Sequence, residues 1–234
     1  MNNEYTSPLV ERFATKEMAQ LWSPNKKFST WRRCWVALAE AEQELGLNIT
    51  DAQIAEMKEH LDDIDFEKAR EYEQQTRHDV MAHIHAFGDV APSAKGVIHL
   101  GATSCFVGDN TDLILLREAL ELIMAKAVNV LAQLKNFAME WKKLPTLGYT
   151  HYQPAQVVTV GKRACLWAQD MAMDIEDIAA QIQRLKCRGV KGTTGTQASF
   201  LELFDGDARK VEQLDQLVAE KLGFSESYPV TGQT

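Results

Sequence analysis

Residues 109–144 read DNTDLILLREALELIMAKAVNVLAQLKNFAMEWKKL, with neither glycine nor proline. Leu113, Leu116, Leu120, Ile123, Ala127, Val130, Leu134, Phe137 and Trp141 recur at alternating intervals of three and four. That is a heptad seam, which packs along another long helix at a shallow crossing angle. At 1.5 Å per residue the helix it predicts is roughly 50 Å long. A plain coiled coil would continue the pattern. Here Gly148, Gly189 and Gly192 break it where an up-and-down bundle would turn.

Working outward toward the C-terminus, a second long helix is predicted from Pro154, a favourable first-turn residue, to a stop at Gly189. Its stripe is Val157, Val160, Ala164, Trp167, Met171, Ile178, Ile182 and Leu185. A last helix, about Asp207 to Leu222, turns Val211, Leu214 and Val218 inward and ends at Gly223. Toward the N-terminus, Ser29 or Thr30 is expected to cap a helix carrying Trp31, Trp35, Leu38 and Leu45, stopped by Gly46. Thr50-Asp51-Ala52-Gln53 is a capping box. A third segment spans about Asp65 to Phe87, followed by a loop from Gly88 to Gly101. No stretch alternates long enough to predict a strand. The expected fold is mostly α, with residues 1–102 as an N-terminal helical domain. Residues 103–234 are expected to be the first part of a central long-helix bundle domain.

Composition limits the function. Of 234 residues, 45% are apolar, too many for a disordered chain. The net charge of -8 argues against nucleic acid held by bulk positive charge, so an anionic ligand must be met by a few placed cations and N–H groups. Cys34, Cys105, Cys165 and Cys187 form no CxxC pair and suggest neither a zinc site nor a disulfide framework. MNNEYTSPLVERF has no basic or apolar leader region, and LILLREALELIMAKAVNVL is interrupted by Arg117, Glu118, Glu121 and Lys126. A cytoplasmic protein with no membrane partner is the expectation.

Three polar clusters stand at the helix ends. Arg77-His78-Asp79 opens a run that also holds His83 and His85. On one helix His78 and His83 are about 140° apart, so they do not converge on a metal. An Asp79–His83 pair on a solvated face is the plainer reading. His99-Leu100-Gly101-Ala102-Thr103-Ser104 precedes the long helix. Its two hydroxyls are either ordinary N-caps or, with free N–H groups, a cradle for a carboxylate or phosphate. Tyr149-Thr150-His151-Tyr152-Gln153-Pro154 sits at the predicted hinge and places a histidine off any apolar seam. The glycine-rich KGTTGTQ at 191–197 lacks the GxxxxGK[ST] pattern of a nucleotide loop.

The segments RHDVMAH (77–83), HLGATSCFVGDNTDL (99–113), LGYTHYQPAQ (147–156) and RGVKGTTGTQASF (188–200) together resemble the adenylosuccinate lyases of the fumarase/aspartase superfamily. The resemblance runs from SPLVERFA (7–14) to VTGQT (230–234). It implies β-elimination of fumarate from adenylosuccinate to give AMP, and from the succinylated carboxamide ribotide of purine biosynthesis, with no metal and no cofactor. A base removes the proton beside a carboxylate, and an acid protonates the departing nitrogen. By resemblance His151 is the general acid, a role suited to an imidazole whose ordinary pKa is about 6.5. His78 binds and orients, with Arg77 and Asp79 beside it. Thr103 and Ser104 hold the fumarate-side carboxylate. Arg12 and Phe13, Thr150 and Gln233 are substrate contacts, and His99 lies near the site.

The position of Phe13 is often tyrosine in the family. The family's mobile loop, bearing the serine base, normally lies beyond residue 234, so the chain alone is expected to be inactive and its seams exposed. The family assembles as homotetramers whose sites draw on several subunits. Argininosuccinate lyase, fumarase or aspartase are less well matched by RHD and KGTTGTQ. A non-catalytic oligomerisation module would explain the heptads but not the polar helix ends.

Overall fold

Ser23, not Ser29 or Thr30, starts the first long helix. In this computed structural model, which describes residues 7–232, a single π-helical turn (Leu9–Phe13) and α1 (Lys16–Leu21) precede α2 (Pro24–Glu44). The Ser23 hydroxyl accepts the Lys26 N–H, and Pro24 supplies the preset first-turn φ. Ser29 and Thr30 lie inside α2 and donate back to the Lys26 carbonyl at 3.1 and 2.8 Å. A mid-helix hydroxyl is satisfied that way and caps nothing.

α2 buries Trp31, Trp35 and Leu38. It packs on α3 (Asp51–Glu59), which starts in the expected capping box: Thr50 and Gln53 each accept the other's N–H. The predicted helix from Asp65 to Phe87 is two helices, α4 (Phe66–Thr76) and α5 (Asp79–Val90). Between them Arg77 adopts a left-handed conformation at φ 53°, which ends one helix and lets His78 begin the next. The break turns His83 inward, so the expected solvated Asp79–His83 pair is not formed. His83 stacks on Phe28 at 3.7 Å between centroids, and burial pushes its pKa down to about 4. Arg32 is buried too, its guanidinium 4.4 Å from the Phe87 ring centre and bonded to the carbonyl oxygens of His60 and Asp63.

After a 3-10 turn at Pro92–Ala94 comes α6 (Ser104–Glu140), the long helix of the heptads. Its first turns bury Phe106, Val107, Asn110, Thr111, Ile114 and Leu115. The seam residues Leu116, Ile123, Val130, Phe137 and Trp141 are exposed.

The second long helix does not begin at Pro154. Residues Pro145–Thr150 (β1) and Gln153–Thr159 (β2) form an antiparallel hairpin, and α7 runs Val160–Arg184 with Thr159 as its cap. Pro154 and Val157 are therefore strand residues. The β-branched run Val157-Val158-Thr159 favours the strand, and a two-residue turn closes the hairpin. Alternation could not reveal it, because most of both faces is exposed. Two shorter helices follow, α8 (Ala198–Leu203) and α9 (Ala208–Lys221), the latter capped by Asp207 and burying Val211, Leu214 and Val218 as expected.

By contact the chain forms two units: residues up to Leu116 with those from Lys186, and Arg117–Leu185. By contact, residues 186–232 group with residues 7–116. In the first unit α9 lies against α2 and α8. In the second, Gly161 at the start of α7 lies against the backbone of Ala138 and Lys142. A Cβ there would come within 2.4 Å of the Ala138 oxygen.

Candidate active site

His78 is held at both ring nitrogens. As N-cap of α5 its Nδ1 accepts the Met81 N–H at 3.3 Å. An accepting Nδ1 carries no proton, so the neutral ring holds its proton on Nε2, 2.9 Å from the Ser104 Oγ. Nε2–H donates and the Ser104 oxygen accepts, which leaves the Ser104 hydroxyl hydrogen for a further acceptor. The Asp79 carboxylate stands 3.6 Å from Nδ1, but the same oxygen takes the Val80 N–H at 2.8 Å. Thr76 accepts the His78 N–H at 3.4 Å, steadying the corner that Arg77 makes.

Ser104 is the first residue of α6, with Thr103 just before it. The first-turn N–H groups of this long helix add a positive helix end to the two hydroxyls. The Thr103 hydroxyl lies 3.0 Å from the Cys105 sulfur, and the Thr103 carbonyl accepts the Phe106 N–H at 2.9 Å. His99 lies five residues upstream of Ser104 in a left-handed conformation, φ 66°. Its Nδ1 accepts the indole N–H of buried Trp35 at 2.8 Å. Burial, aided by the nearby His78, pushes the His99 pKa down to about 4, so it is neutral at physiological pH.

The segment 187–200, which holds the glycine-rich KGTTGTQ and one of the four segments of the family resemblance, lies against the start of α6. Arg188 is buried and bonds the carbonyls of Lys191 and Gly192, and its Nε lies 2.8 Å from the Asp109 carboxylate. Asn110, fully buried, accepts the Arg188 N–H at 2.8 Å and donates to the Phe106 and Gly189 carbonyls. Ser199 donates to the Gly101 carbonyl at 2.6 Å. Lys191 is paired with Asp215 at 2.8 Å. The Ser199 bond ties this segment to the loop before α6, and Asn110 and Asp109 tie it to α6 itself. Sequence reasoning missed Trp35, Asn110 and Arg188. Only Asn110 carried a signal, a polar residue on the face of α6 that the helical pattern turns inward.

His151 and Thr150 belong to the second unit. His151 and Tyr152 are the central residues of the hairpin turn, at φ 49° and 59°, flanked by the Thr150–Gln153 pair. Both are exposed, Tyr152 completely. A turn with both central residues left-handed normally takes Asn-Gly, so a histidine and a tyrosine there are held against their backbone preference. Arg12 and Phe13 lie on the π-helical turn and are exposed, Phe13 at 73%. Arg77 and Asp79 flank His78 and are exposed. Gln233 lies outside the described residues. The three histidines of the 78–85 run go separate ways: His78 to Ser104, His83 into the core, and His85 beside Tyr72 at 5.2 Å.

An imidazole N–H donor, two hydroxyls and a helix N-terminus suit one flat anion. A model of the lyase family matches residues 3–232. The chain belongs to the lyase family. This lyase chain is 54% identical over 235 residues to adenylosuccinate lyase of Saccharomyces cerevisiae, covering 99% of this chain and 49% of that protein. It is 53% identical to that of Schizosaccharomyces pombe, covering 98% and 48%. The chain thus spans about half the length of the curated relatives it matches. Among solved structures, a fumarate lyase from Mesorhizobium sp. BNC1 superposes with a TM-score of 0.81 at 24% identity, over 94% of this chain and 50% of that one. A 3-carboxy-cis,cis-muconate lactonizing enzyme from Pseudomonas putida superposes at 0.80 and 22%, over 95% and 50%. At those identities the likeness is one of fold, and it agrees with the mostly helical class. Among the described residues no helix is long and apolar enough to cross a membrane.

Proposed function

We propose that this chain is the part of an adenylosuccinate lyase that supplies the proton donor and the carboxylate cradle. The reaction is β-elimination: a proton leaves the carbon beside a carboxylate, the C–N bond breaks, the C=C bond of fumarate forms, and the departing nitrogen of AMP takes a proton. The succinylated carboxamide ribotide would be cleaved in the same way. The observation that carries the reading is the His78–Ser104 hydrogen bond at the start of α6. With His78 donating, the Ser104 hydroxyl hydrogen is left to donate, with Thr103 and the helix N–H groups beside it. Such donors stabilise a carboxylate whose negative charge grows as the proton beside it is removed.

In this reading His151 protonates the leaving nitrogen, presented on the hairpin turn together with Thr150. Arg77, Asp79, Arg12, Phe13 and Gln233 contact the substrate, and the two cations offset phosphate charge. The chain's matched motifs provide an acid and anion holders but no base. The 234 residues by themselves are therefore expected to bind product without turnover. The open seam of Ile123, Val130, Phe137 and Trp141 is where copies associate, as a homotetramer in the assembled enzyme.

Titration of the chain with fumarate and with AMP in a calorimeter tests the site. We expect fumarate binding that falls at least tenfold in Ser104→Ala. A folded chain that binds neither compound would count against the reading.

A further inference from the structure

Trp35 is fully buried in the α2 core, yet its indole N–H points at the imidazole of a residue outside that helix. The N–H···Nδ1 distance is 2.8 Å, and the two rings meet nearly perpendicular, at 89°. An indole nitrogen only donates, so His99 Nδ1 must be an unprotonated acceptor. The neutral ring then carries its proton on Nε2, at the far edge from Trp35. Among the described residues none bonds that Nε2. His78, by a separate route through the Met81 N–H, arrives at the same tautomer.

We propose that Trp35 is a positioning residue of the anion site: it locks His99 as a neutral Nε2–H donor beside the Thr103–Ser104 cradle. Resting on the reading of that cradle as the substrate-carboxylate site, the inference assigns a role to a core tryptophan that touches no substrate. A ring free to flip or change tautomer would present a bare nitrogen lone pair to an incoming carboxylate half of the time, and the two would repel. A protonated ring would require the Trp35 N–H to face another N–H. The indole bond excludes both states, and the left-handed backbone at His99 sets the ring's position from the other side. Trp31, one turn earlier in α2, offers a contrast, because its buried indole nitrogen has no hydrogen-bond partner among the described residues.

The test is nuclear magnetic resonance of the 234-residue chain labelled with ¹⁵N, at neutral pH. His99 is assigned by the loss of its signals in His99→Gln. In the wild type we expect the Nε2–H pattern for His99 and a scalar coupling across the hydrogen bond from Trp35 Nε1 to His99 Nδ1. In Trp35→Phe, which keeps an aromatic ring but no donor, we expect His99 to become a mixture of both tautomers while the other histidines keep their signals. An Nδ1–H pattern in the wild type, or an unchanged His99 in a folded Trp35→Phe, overturns the proposal. If Trp35→Phe does not fold, the wild-type coupling decides alone: its absence overturns the lock. Fumarate added to the wild type separates the two readings. A locked His99 whose signals fumarate does not move supports the lock and refutes the cradle as a carboxylate site.

Discussion

Glu42 should make this chain less stable as the pH rises, and replacing it should remove that dependence. The run AEAEQE at 39–44 places three glutamates on α2. Glu40 and Glu44 face Lys58 and Lys221. Glu42, about 200° around the helix from each of them, points inward. It is fully buried, and among the described residues neither carboxylate oxygen has a hydrogen-bond partner. Burial pushes its pKa from 4.5 up to about 9. The folded state therefore holds a proton that the unfolded state releases above about pH 4.5. Below that pH the group costs nothing by titration. Between about 4.5 and 9 each pH unit removes about 1.4 kcal/mol of stability, or about 3 kcal/mol by pH 7. The assay is urea unfolding at pH 5, 6, 7 and 8, followed by the fluorescence of the buried Trp31 and Trp35. Glu42→Gln keeps the shape without the titration, so the comparison isolates Glu42 from every other group. We expect the stability of Glu42→Gln relative to wild type to grow by about 1.4 kcal/mol per pH unit. Parallel curves for the two proteins would refute the reasoning.

Other consequences are open to measurement. His83, with its pKa lowered from 6.5 to about 4, contributes stability that is complete above pH 6.5 and is lost as pH falls toward 4. His83→Phe should remove about 2 kcal/mol of the acid sensitivity between pH 6.5 and 5, read from urea midpoints against wild type. Gly195→Ala forces a Cβ to within 1.8 Å of the Thr231 carbonyl at φ 85°, and should cost about 3 kcal/mol or prevent folding, read by thermal melting. Tyr152→Gly relieves one left-handed residue of the hairpin turn. It should stabilise the hairpin by about 1 kcal/mol, seen as slower amide hydrogen exchange in β1 and β2.

How far the sequence could be read depended on which interaction decided each element. The heptads of 109–144 located α6, and the cap residues Thr50 and Asp207 located two helix starts, because these signals are local. The corner at Arg77 was invisible because a non-glycine residue in the left-handed region carries no mark in the sequence. The hairpin at 145–159 was lost because its side chains face outward on both sides, which erases the alternation that betrays a half-buried strand. The cradle was partly legible. Thr103 and Ser104 stood out as hydroxyls before a long helix, and His78 as one of three close histidines. What joins them, a hydrogen bond spanning 26 residues, and what supports His99, a tryptophan 64 residues away, are tertiary contacts. Trp35 read only as a core residue on an apolar stripe, and its polar edge had no reason to be noticed.

The claim that this chain carries the acid and the anion-holding groups of an adenylosuccinate lyase is tested most directly in a chimera. This chain replaces the matching half of the S. cerevisiae relative, with which it shares 54% identity. AMP formation from adenylosuccinate is then followed by absorbance. The account predicts turnover by the chimera and a fall of at least a hundredfold in kcat for His151→Gln, the scale of a lost general acid. A folded chimera without turnover, or a His151→Gln chimera as fast as its parent, would contradict it.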